Sequence, residues 1–352
     1  MELWQQLLKD SITDPETLRR FFPCDSDAIF RVSRTYPMGI NPYVLSLIKQ
    51  PGDPVWRQVV PCAPEIDPSF SGMADPLDEE NLSPVPNLVH KYPDRVLFLV
   101  ASRCASYCRF CTRKRKVGTS RFSVTQETLR QGIEYIRAHD TIHDVLLSGG
   151  DPLLLADEML AAVLEKLRAI KHVGIIRIGS RVPSFLPQRI TPGFVSLLKK
   201  FHPLYINTHF NHPQELTPEA ATACRRLADA GIPLGCQTVL LKGINDSART
   251  LTTLFRTLVT LRVRPYYLFQ MDTVQGAGHF QTPVSSGIAI MKKLIGHLSG
   301  MCVPTFALDA PGGGGKIPLT PAYVTTMQPE LVFTNYQGKQ YRYPAQPDAH
   351  HG

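Results

Sequence analysis

Three cysteines lie close together in the chain, Cys104, Cys108 and Cys111, with the spacing C-x3-C-x2-C. Three thiolates suit a [4Fe–4S] cluster in which one iron has no protein ligand and can bind a small molecule through oxygen and nitrogen. Structural zinc is the alternative, but it takes four ligands and usually uses paired C-x2-C spacings. The other five cysteines form no second cluster that would supply the fourth ligand. The spacing therefore favours an iron–sulfur cluster over zinc or inert buried thiols.

A glycine-rich stretch with one lysine, DAPGGGGK, runs from Asp309 to Lys316. A phosphate-binding loop needs glycine six positions before the lysine and a hydroxyl residue after it, but Ala310 and Ile317 occupy those positions. The glycines let the backbone approach a bound group closely. A lysine beside a flat, anionic cofactor can form a Schiff base with pyridoxal phosphate. A solvated loop lysine is the alternative, and this stretch alone does not decide between them.

The elements that must position these residues begin near residue 95. Short apolar or β-branched runs recur from there: 95–101, 144–149, 173–180, 204–210, 234–241, 264–272 and 302–309. Helix-period segments lie between them, which indicates repeated βαβ units and a parallel sheet. Polar and glycine residues follow several strands, as in an α/β barrel, whereas a doubly wound sheet concentrates them at one switch point. We therefore predict an α/β fold with a partial barrel.

We predict three regions along the chain. Residues 1–90 contain short helical pieces and many prolines, which indicates an N-terminal helical and extended wrap rather than an independent sheet. Residues 91–310 form the predicted barrel. Residues 311–352 contain the lysine of the glycine-rich loop and a short C-terminal extension with weak strand character.

The 352 residues are 43% hydrophobic and 19% charged, which is typical of a folded globular protein. No apolar run approaches the ~18 residues of a membrane span, and the N-terminal stretch reads as an acidic amphipathic helix rather than a signal peptide. We expect a cytoplasmic protein without a membrane partner. The net charge of +8 fits an anionic cofactor as well as nucleic acid. The densest basic run, residues 113–116, lacks interleaved aromatics, so no nucleic-acid partner is expected.

The cysteine loop after the first predicted strand resembles that of the radical S-adenosylmethionine (SAM) superfamily. This resemblance implies a partial (β/α)6 barrel in which the open iron of the cluster chelates SAM, and reduction cleaves SAM to a 5′-deoxyadenosyl radical. It also implies an electron donor of the flavodoxin or ferredoxin type. The run LLSGGDP at 146–152 resembles the family's GGD/E loop. Gly149, Gly150 and Asp151 are therefore expected to contact the methionine amino group of SAM.

Further stretches resemble the lysine 2,3-aminomutase family over about residues 35–340. They match in sequence and in order: HKYPDRVLFLV, CRFCTRKRKVG, RIGSRVPSFLPQRIT, NTHFNHPQE, GIPLGCQTVLLKGIND, RVRPYYLFQMD and GHFQTPVS. The resemblance implies that pyridoxal phosphate is a further cofactor, joined to Lys316 and held through its phosphate by Arg95. It also implies the reaction, in which the radical abstracts a β-hydrogen and the amino group of an amino acid migrates from C2 to C3.

The same resemblance assigns the substrate contacts. Arg113 matches the arginine that pairs with the substrate carboxylate, a task that suits a guanidinium fork; without the resemblance it would belong to a solvated basic face. Asp272 and Asp309 match two aspartates that bind the distal ammonium of lysine, and two carboxylates there disfavour an acidic side chain. His209 and Gln237 match polar residues near the cofactors, although either could be a satisfied core residue. L-Lysine is the expected substrate and β-lysine the expected product.

Several alternatives remain open. A sister group makes β-lysine for the modification of elongation factor P, and the short length and the phrase DTVQGAGHF resemble it. Its glycine-rich stretch is degenerate, however, whereas PGGGGK is intact here. A 2,3-aminomutase acting on arginine or glutamate would use the same cofactors. A non-enzymatic iron–sulfur or zinc module would require Lys316 and Arg95 to be incidental.

The chain departs from the family pattern at two places. Well-studied members carry a cysteine-rich C-terminal extension that binds zinc between subunits, whereas this chain has no cysteine after Cys302 and has Ser247 at a further ligand position. We expect a homo-oligomer that lacks the inter-subunit zinc site. Phe269 stands where those members have a tyrosine, which removes one hydroxyl contact.

Overall fold

A sheet of nine strands forms the centre of the protein in a computed structural model, which describes residues 1–70, 72–119, 122–327 and 330–344. Its strands pair in chain order, and β2 to β8 run parallel. They are β1 Leu88–Tyr92, β2 Arg95–Ala101, β3 Asp144–Gly149, β4 Ile175–Ser180, β5 Leu204–His209, β6 Leu234–Leu240, β7 Val263–Gln270, β8 Thr305–Ala310 and β9 Gly315–Pro318. All seven strands predicted from the sequence are present.

Helices connect the parallel strands and cover the outer face of the sheet. The connecting helices are α6 Gln126–Ala138, α7 Asp157–Arg168, α8 Val182–Phe185, α9 Pro192–Leu198, α10 Pro218–Asp229, α11 Ala248–Thr260 and α12 Val284–Leu294. Short 3₁₀ turns lie at Ala63–Ile66, Pro152–Leu154, Pro187–Arg189, Lys199–Phe201, Pro213–Glu215, Gly278–Phe280 and Gly300–Cys302. Side chains alternate along each strand: Val145 and Leu147 of β3 are fully buried in the core, whereas Leu146 and Ser148 face an internal cavity.

The outermost strands close most of the gap between the two edges of the sheet. Strands β1 and β9 are antiparallel to their neighbours β2 and β8. The backbone N–H of Lys316 in β9 donates to the hydroxyl of Tyr92 in β1 at 3.0 Å. Because residues from the first and last strands touch, the sheet curves into a nearly closed barrel. The predicted α/β barrel fold is confirmed.

Two further parts flank the barrel. Five helices precede it, α1 Leu3–Lys9, α2 Pro15–Arg19, α3 Ser26–Ser33, α4 Pro42–Leu47 and α5 Pro54–Val59, and most of their apolar faces form a separate core cluster. A small antiparallel sheet follows it, with β10 Val324–Thr326, β11 Leu331–Thr334 and β12 Gln340–Tyr343. The division at residues 90 and 310 stays a prediction. Strand β1 crosses the first limit and β9 lies beyond the second, yet both pair with the barrel strands. None of the helices in the described part of the chain is long and apolar enough to span a bilayer.

Candidate active site

A cavity of about 810 Å³ runs through the barrel. All thirteen residues singled out from the sequence line it: Arg95, Cys104, Cys108, Cys111, Arg113, Gly149, Gly150, Asp151, His209, Gln237, Asp272, Asp309 and Lys316. Most of them follow the carboxyl ends of strands, as expected for a barrel. Arg95 differs, because it is the first residue of β2. The cavity therefore spans the height of the sheet rather than occupying one end.

The cysteine loop follows β2 and lies at one wall of this cavity. Arg181, directly after β4, donates from Nη1 to Sγ of Cys108 at 2.8 Å. The backbone N–H of Arg113 donates to Sγ of Cys111 at 3.4 Å. Burial raises the pKa of Cys104 well above its usual value, and burial together with the neighbouring Cys108 raises the pKa of Cys111. The ligand-free thiols of Cys104 and Cys111 are therefore protonated, and metal binding has to displace their protons.

The donor set fits a cluster better than a single ion. Within the ranges that the structure describes, no three histidine, cysteine or acidic side chains converge where one metal ion could bind. A [4Fe–4S] cluster binds each thiolate through a different iron, so its ligands surround a group several ångströms across instead of meeting at a point. Three thiols on one cavity wall suit that arrangement, and the tetrahedral site that zinc requires is not formed by the described residues.

The loop after β3 packs directly on the base of the cysteine loop. The N–H of Gly150 donates to the carbonyl of Ala101 at 2.5 Å, and the N–H of Asp151 donates to the carbonyl of Arg103 at 2.7 Å. A Cβ on Gly149 or Gly150 would overlap the carbonyl oxygens of Ala101 and Arg103, respectively, and Gly149 has a φ of +124°. Only glycine combines that conformation with so close an approach.

Asp151 is already occupied by contacts within the protein. Its buried carboxylate accepts hydrogen bonds from Ser180 Oγ at 2.7 Å and from the backbone N–H groups of Arg181, Val182 and Leu153. Burial raises its pKa, and these donors oppose that rise. The expected contact with a methionine amino group stays a prediction. The side chain holds the loop to the end of β4.

Polar groups from β5 and β6 form the adjacent wall. Burial lowers the pKa of His209 to about 3, so the imidazole is neutral, and its Nε2 lies 2.9 Å from Asn211 Oδ1. The Gln237 side chain lines the same wall. Asn207 Nδ2 and Thr208 Oγ1 are buried and have no hydrogen-bond partner among the described residues. Buried polar atoms without partners are costly. Asn207, which the sequence did not single out, lies on the same face of β5 as His209 and therefore suits a polar ligand such as SAM. Thr208 lies on the opposite face, beside Cys236 of the core.

Two carboxylates and two lysines meet where β8 and β9 pair. Asp309 Oδ1 lies 3.2 Å from Lys316 Nζ and 4.0 Å from Lys91 Nζ. Burial, and then the charge of Asp309, raise the pKa of Asp272 to about 7. Lys91 was not singled out because a lysine in an edge strand is ordinarily solvated, and only the approach of β1 to β9 brings it here. By formal charge, the two carboxylates and the two lysines balance when both acids are ionised, and protonation of Asp272 leaves one excess positive charge among the four groups.

Aromatic side chains lie beside Lys316, and the guanidinium of Arg95 stacks on one of them. Arg95 Cζ lies 3.8 Å from the ring centroid of Tyr92, whose hydroxyl accepts the Lys316 N–H. The rings of Tyr267 and Phe269 stack with their centroids 4.8 Å apart, and Lys316 Nζ is 5.3 Å from the Phe269 centroid. An amine, cationic side chains and an aromatic wall form the donor set that a flat, anionic aldehyde cofactor requires. The residues present therefore fit pyridoxal phosphate.

Arg113 is held by an acidic residue that sequence reasoning missed. Its Nε and Nη2 bind both oxygens of Glu79, at 2.8 and 2.5 Å. The guanidinium is thus oriented toward the cavity by a buried bidentate ion pair. Nη1 takes no part in this ion pair, which uses Nε and one N–H of Nη2.

The rest of the basic run is also paired with the acidic segment that precedes the barrel. The ion pairs are Lys114 with Glu65 at 2.7 Å, Arg115 with Asp75 and Glu80 at 3.0 Å, and Lys116 with Glu80 at 2.9 Å. Lys114 is only 6% exposed. The alternative of a solvated basic face is therefore wrong for this run, because tertiary contacts with residues 65–80 neutralise it.

Two family models match the chain. Residues 98–254, from β2 to α11, match the radical SAM superfamily. Residues 291–351 match the model of lysine-2,3-aminomutase. The two matches cover the cysteine loop and the glycine-rich lysine loop, respectively.

Relatives with established names extend these matches over almost the whole chain. The chain is 50% identical over 341 residues to the L-lysine 2,3-aminomutase of Fusobacterium nucleatum, covering 95% of this chain and 80% of the relative. It is 48% identical over 341 residues to that of Clostridium subterminale, covering 95% and 82%. The glutamate 2,3-aminomutase of Clostridioides difficile is 40% identical over 350 residues, covering 98% and 82%. The chain therefore belongs to the lysine 2,3-aminomutase family, whose members are isomerases of the radical SAM superfamily.

Proposed function

We propose that this chain converts L-lysine into β-lysine by moving the α-amino group from C2 to C3, with pyridoxal phosphate as a cofactor beside the [4Fe–4S] cluster and SAM. The observation that carries the proposal is one cavity lined by three thiols, the Lys316 amine and the Asp272–Asp309 pair. When bound, the cluster and SAM supply the radical, and pyridoxal phosphate supplies the conjugated ring on which an amino group can migrate. A flavodoxin or ferredoxin would supply the electron. The subunit number and the absence of an inter-subunit zinc site stay predictions.

The residues divide the cavity into two functional ends. Cys104, Cys108 and Cys111 would hold the cluster, and the backbone of Gly149 and Gly150 borders the position that SAM would take beside it. Gln237 and the neutral His209 border the same space and would orient the ligand. Arg95 would hold the phosphate of the second cofactor, with Lys316 joined to its aldehyde carbon. The protein's task is to keep these groups in register and away from water.

The carboxylates favour lysine among the candidate substrates. In the ligand-free chain Asp309 pairs with Lys316, and a Lys316 amine joined to a cofactor no longer supplies that charge. The ε-ammonium of lysine would then replace it between Asp309 and Asp272. A glutamate side chain would add a third negative charge to two buried carboxylates, which is strongly unfavourable. Arg113 would bind the α-carboxylate at the other end of the substrate.

The test is an anaerobic assay with separate amino acids. The chain is reconstituted with iron, sulfide and pyridoxal phosphate, reduced with dithionite, and given SAM with L-lysine, L-arginine or L-glutamate. We expect β-lysine from L-lysine, and no product from Cys108→Ala or Asp309→Asn. Lys316→Ala should also lose the absorbance band of the bound pyridoxal.

Three other outcomes would correct the proposal at different points. Product from glutamate alone would refute the role given to the two aspartates, and product from arginine alone would refute lysine as the substrate. SAM cleavage without rearrangement of any amino acid would refute the aminomutase. An unchanged pyridoxal band in Lys316→Ala would refute the role of that lysine.

A further inference from the structure

The cysteine loop is anchored to the segment before the barrel rather than to the barrel alone. The N–H of Tyr107 donates to the carbonyl of Gly39 at 3.0 Å, and the N–H of Arg109 donates to the carbonyl of Gln58 at 2.9 Å. The fully buried amide of Asn41 donates to the carbonyl of Ala105 at 3.0 Å. Residues on both sides of Cys108 are thereby fixed to residues 36–65. The path of the loop depends on that segment.

A single buried carboxylate, Glu65, connects the two cations of the loop. Arg109 donates from Nε and Nη2 to Glu65 at 3.0 and 2.7 Å, and Lys114 Nζ lies 2.7 Å from Glu65 Oε2. All three side chains are nearly inaccessible, with 1% of Arg109, 3% of Glu65 and 6% of Lys114 exposed. Arg109 lies between Cys108 and Cys111, and Lys114 follows Cys111 by three residues. Glu65 therefore binds the loop on both sides of its third thiol.

The remaining donors of the two cations also go to fixed backbone groups. Arg109 Nη1 and Nη2 donate to the carbonyls of Pro37 and Tyr36, at 2.8 and 3.2 Å. Lys114 Nζ donates to the carbonyls of Arg109 and Gly276, at 2.9 and 2.8 Å. All three Lys114 donors and four of the five Arg109 N–H groups are thus bound, and such geometry makes a buried ion pair specify one arrangement. Two cations and one anion also leave a net positive charge beside the place where the thiolates would become negative.

We propose that Glu65 is a positioning residue for the iron–sulfur cluster, because its contacts with Arg109 and Lys114 fix the cysteine loop in its ligating form before iron is inserted. The inference rests on the proposed cluster. Residues that orient metal ligands typically change metal affinity or activity by about 10–100-fold when they are replaced. Nothing about Glu65 in the sequence indicates this role, since it lies 39 residues before Cys104.

The test compares the wild type with Glu65→Gln, which keeps the shape of the side chain and removes its charge. In the cluster-free chain, we expect faster amide hydrogen exchange in the peptide that spans residues 104–114. After anaerobic reconstitution, we expect the cluster to be lost to an iron chelator roughly tenfold faster, and the change in its electron paramagnetic resonance spectrum on SAM addition to be weakened. Circular dichroism checks that the fold is retained.

Asp157→Asn is the control for loss of a carboxylate that binds a buried arginine, and Asp157 itself is half-exposed. It removes a carboxylate from another buried arginine, Arg189, which is 1% exposed and lies 2.5 Å from Asp157. It should leave loop exchange and cluster loss unchanged. If Glu65→Gln does not fold, Lys114→Met replaces it in the test. This variant leaves Glu65 and Arg109 as a one-to-one pair and frees only the Cys111 side of the loop. Loop exchange and cluster loss should then increase by less than in Glu65→Gln.

The outcomes separate this inference from the proposed function. A wild-type chain that takes up no cluster would refute the cluster and this inference with it. The positioning role alone would be refuted if the wild type takes up a cluster and folded Glu65→Gln loses iron at the wild-type rate. If Glu65→Gln does not fold, the same result with Lys114→Met would refute it. Equal acceleration in Asp157→Asn would show a general loss of stability, and would also refute it.

Discussion

Replacing Asp272 by asparagine should stabilise the ligand-free chain at neutral and alkaline pH. Burial and the nearby Asp309 raise the pKa of Asp272 from 3.8 to about 7. The folded chain therefore holds this proton more tightly than the unfolded chain does, so stability falls as the pH rises through that interval. One pKa unit corresponds to about 1.4 kcal/mol, and the ionised carboxylate thus costs about 4 kcal/mol above pH 7. An asparagine carries no charge and avoids that cost.

The assay is urea unfolding of the cofactor-free chain, followed by circular dichroism between pH 5 and 8. The free-energy difference between Asp272→Asn and the wild type should favour the variant and should grow by roughly 2.5 kcal/mol over this range. Asp229→Asn is the control, since its exposed pair with Arg262 is worth about 1 kcal/mol or less. A free-energy difference that does not change from pH 5 to 8 would show that the pKa of Asp272 is not raised in this cavity.

Two substitutions test the packing around the cysteine loop by the same unfolding measurement. Gly150→Ala should destabilise the chain by about 1–3 kcal/mol, because its Cβ would overlap a carbonyl of the cysteine loop. Gly193→Ala is the control, since Gly193 lies in a helix and its added Cβ would meet no atom within 4 Å; it should be neutral or stabilising. Equal losses of stability in Gly150→Ala and Gly193→Ala would contradict the close packing at Gly150. In a second test, Glu79→Gln should cost about 3–5 kcal/mol because it leaves Arg113 buried without its partner. Glu80→Gln, at a half-exposed position, should cost about 1 kcal/mol or less. A larger loss of stability in Glu80→Gln than in Glu79→Gln would refute the argument from the buried pair.

The barrel and the residues that line the cavity were predictable because the sequence patterns that indicate them are local. Seven apolar runs at regular spacing fix the parallel strands, and the cysteine, GGD and glycine–lysine motifs are short enough to be recognised within the sequence. Residues that follow parallel strands must meet at one end of a barrel. The order of the motifs along the chain was therefore sufficient to bring Cys104, Gly150 and Asp309 to one cavity.

The partners of the charged residues were not predictable. Glu79 and Arg113 are 34 residues apart, and Glu65 and Lys114 are 49 apart, with no periodicity that connects them. Which acid meets which base depends on how the segment before β1 passes over the cysteine loop, and that is a tertiary property. The contacts of the Asp151 carboxylate were not predictable for the same reason, since three of its four donors come from the end of β4 and the two residues after it.

The proton on Asp272 also connects stability with ligand choice. A cation placed between Asp272 and Asp309 favours the ionised carboxylate and lowers its pKa, so binding of a diammonium ligand below pH 7 should release a proton. L-Norleucine, which resembles L-lysine without the ε-amino group, offers no such cation and should release none at this site. Calorimetric titration of the reconstituted enzyme in buffers of different ionisation enthalpy measures the difference. Equal proton release by both ligands would show that Asp272 is not part of the ammonium site. Release that occurs with lysine alone and disappears in Asp272→Asn would show that the carboxylate that destabilises the ligand-free chain is also the one that selects its substrate.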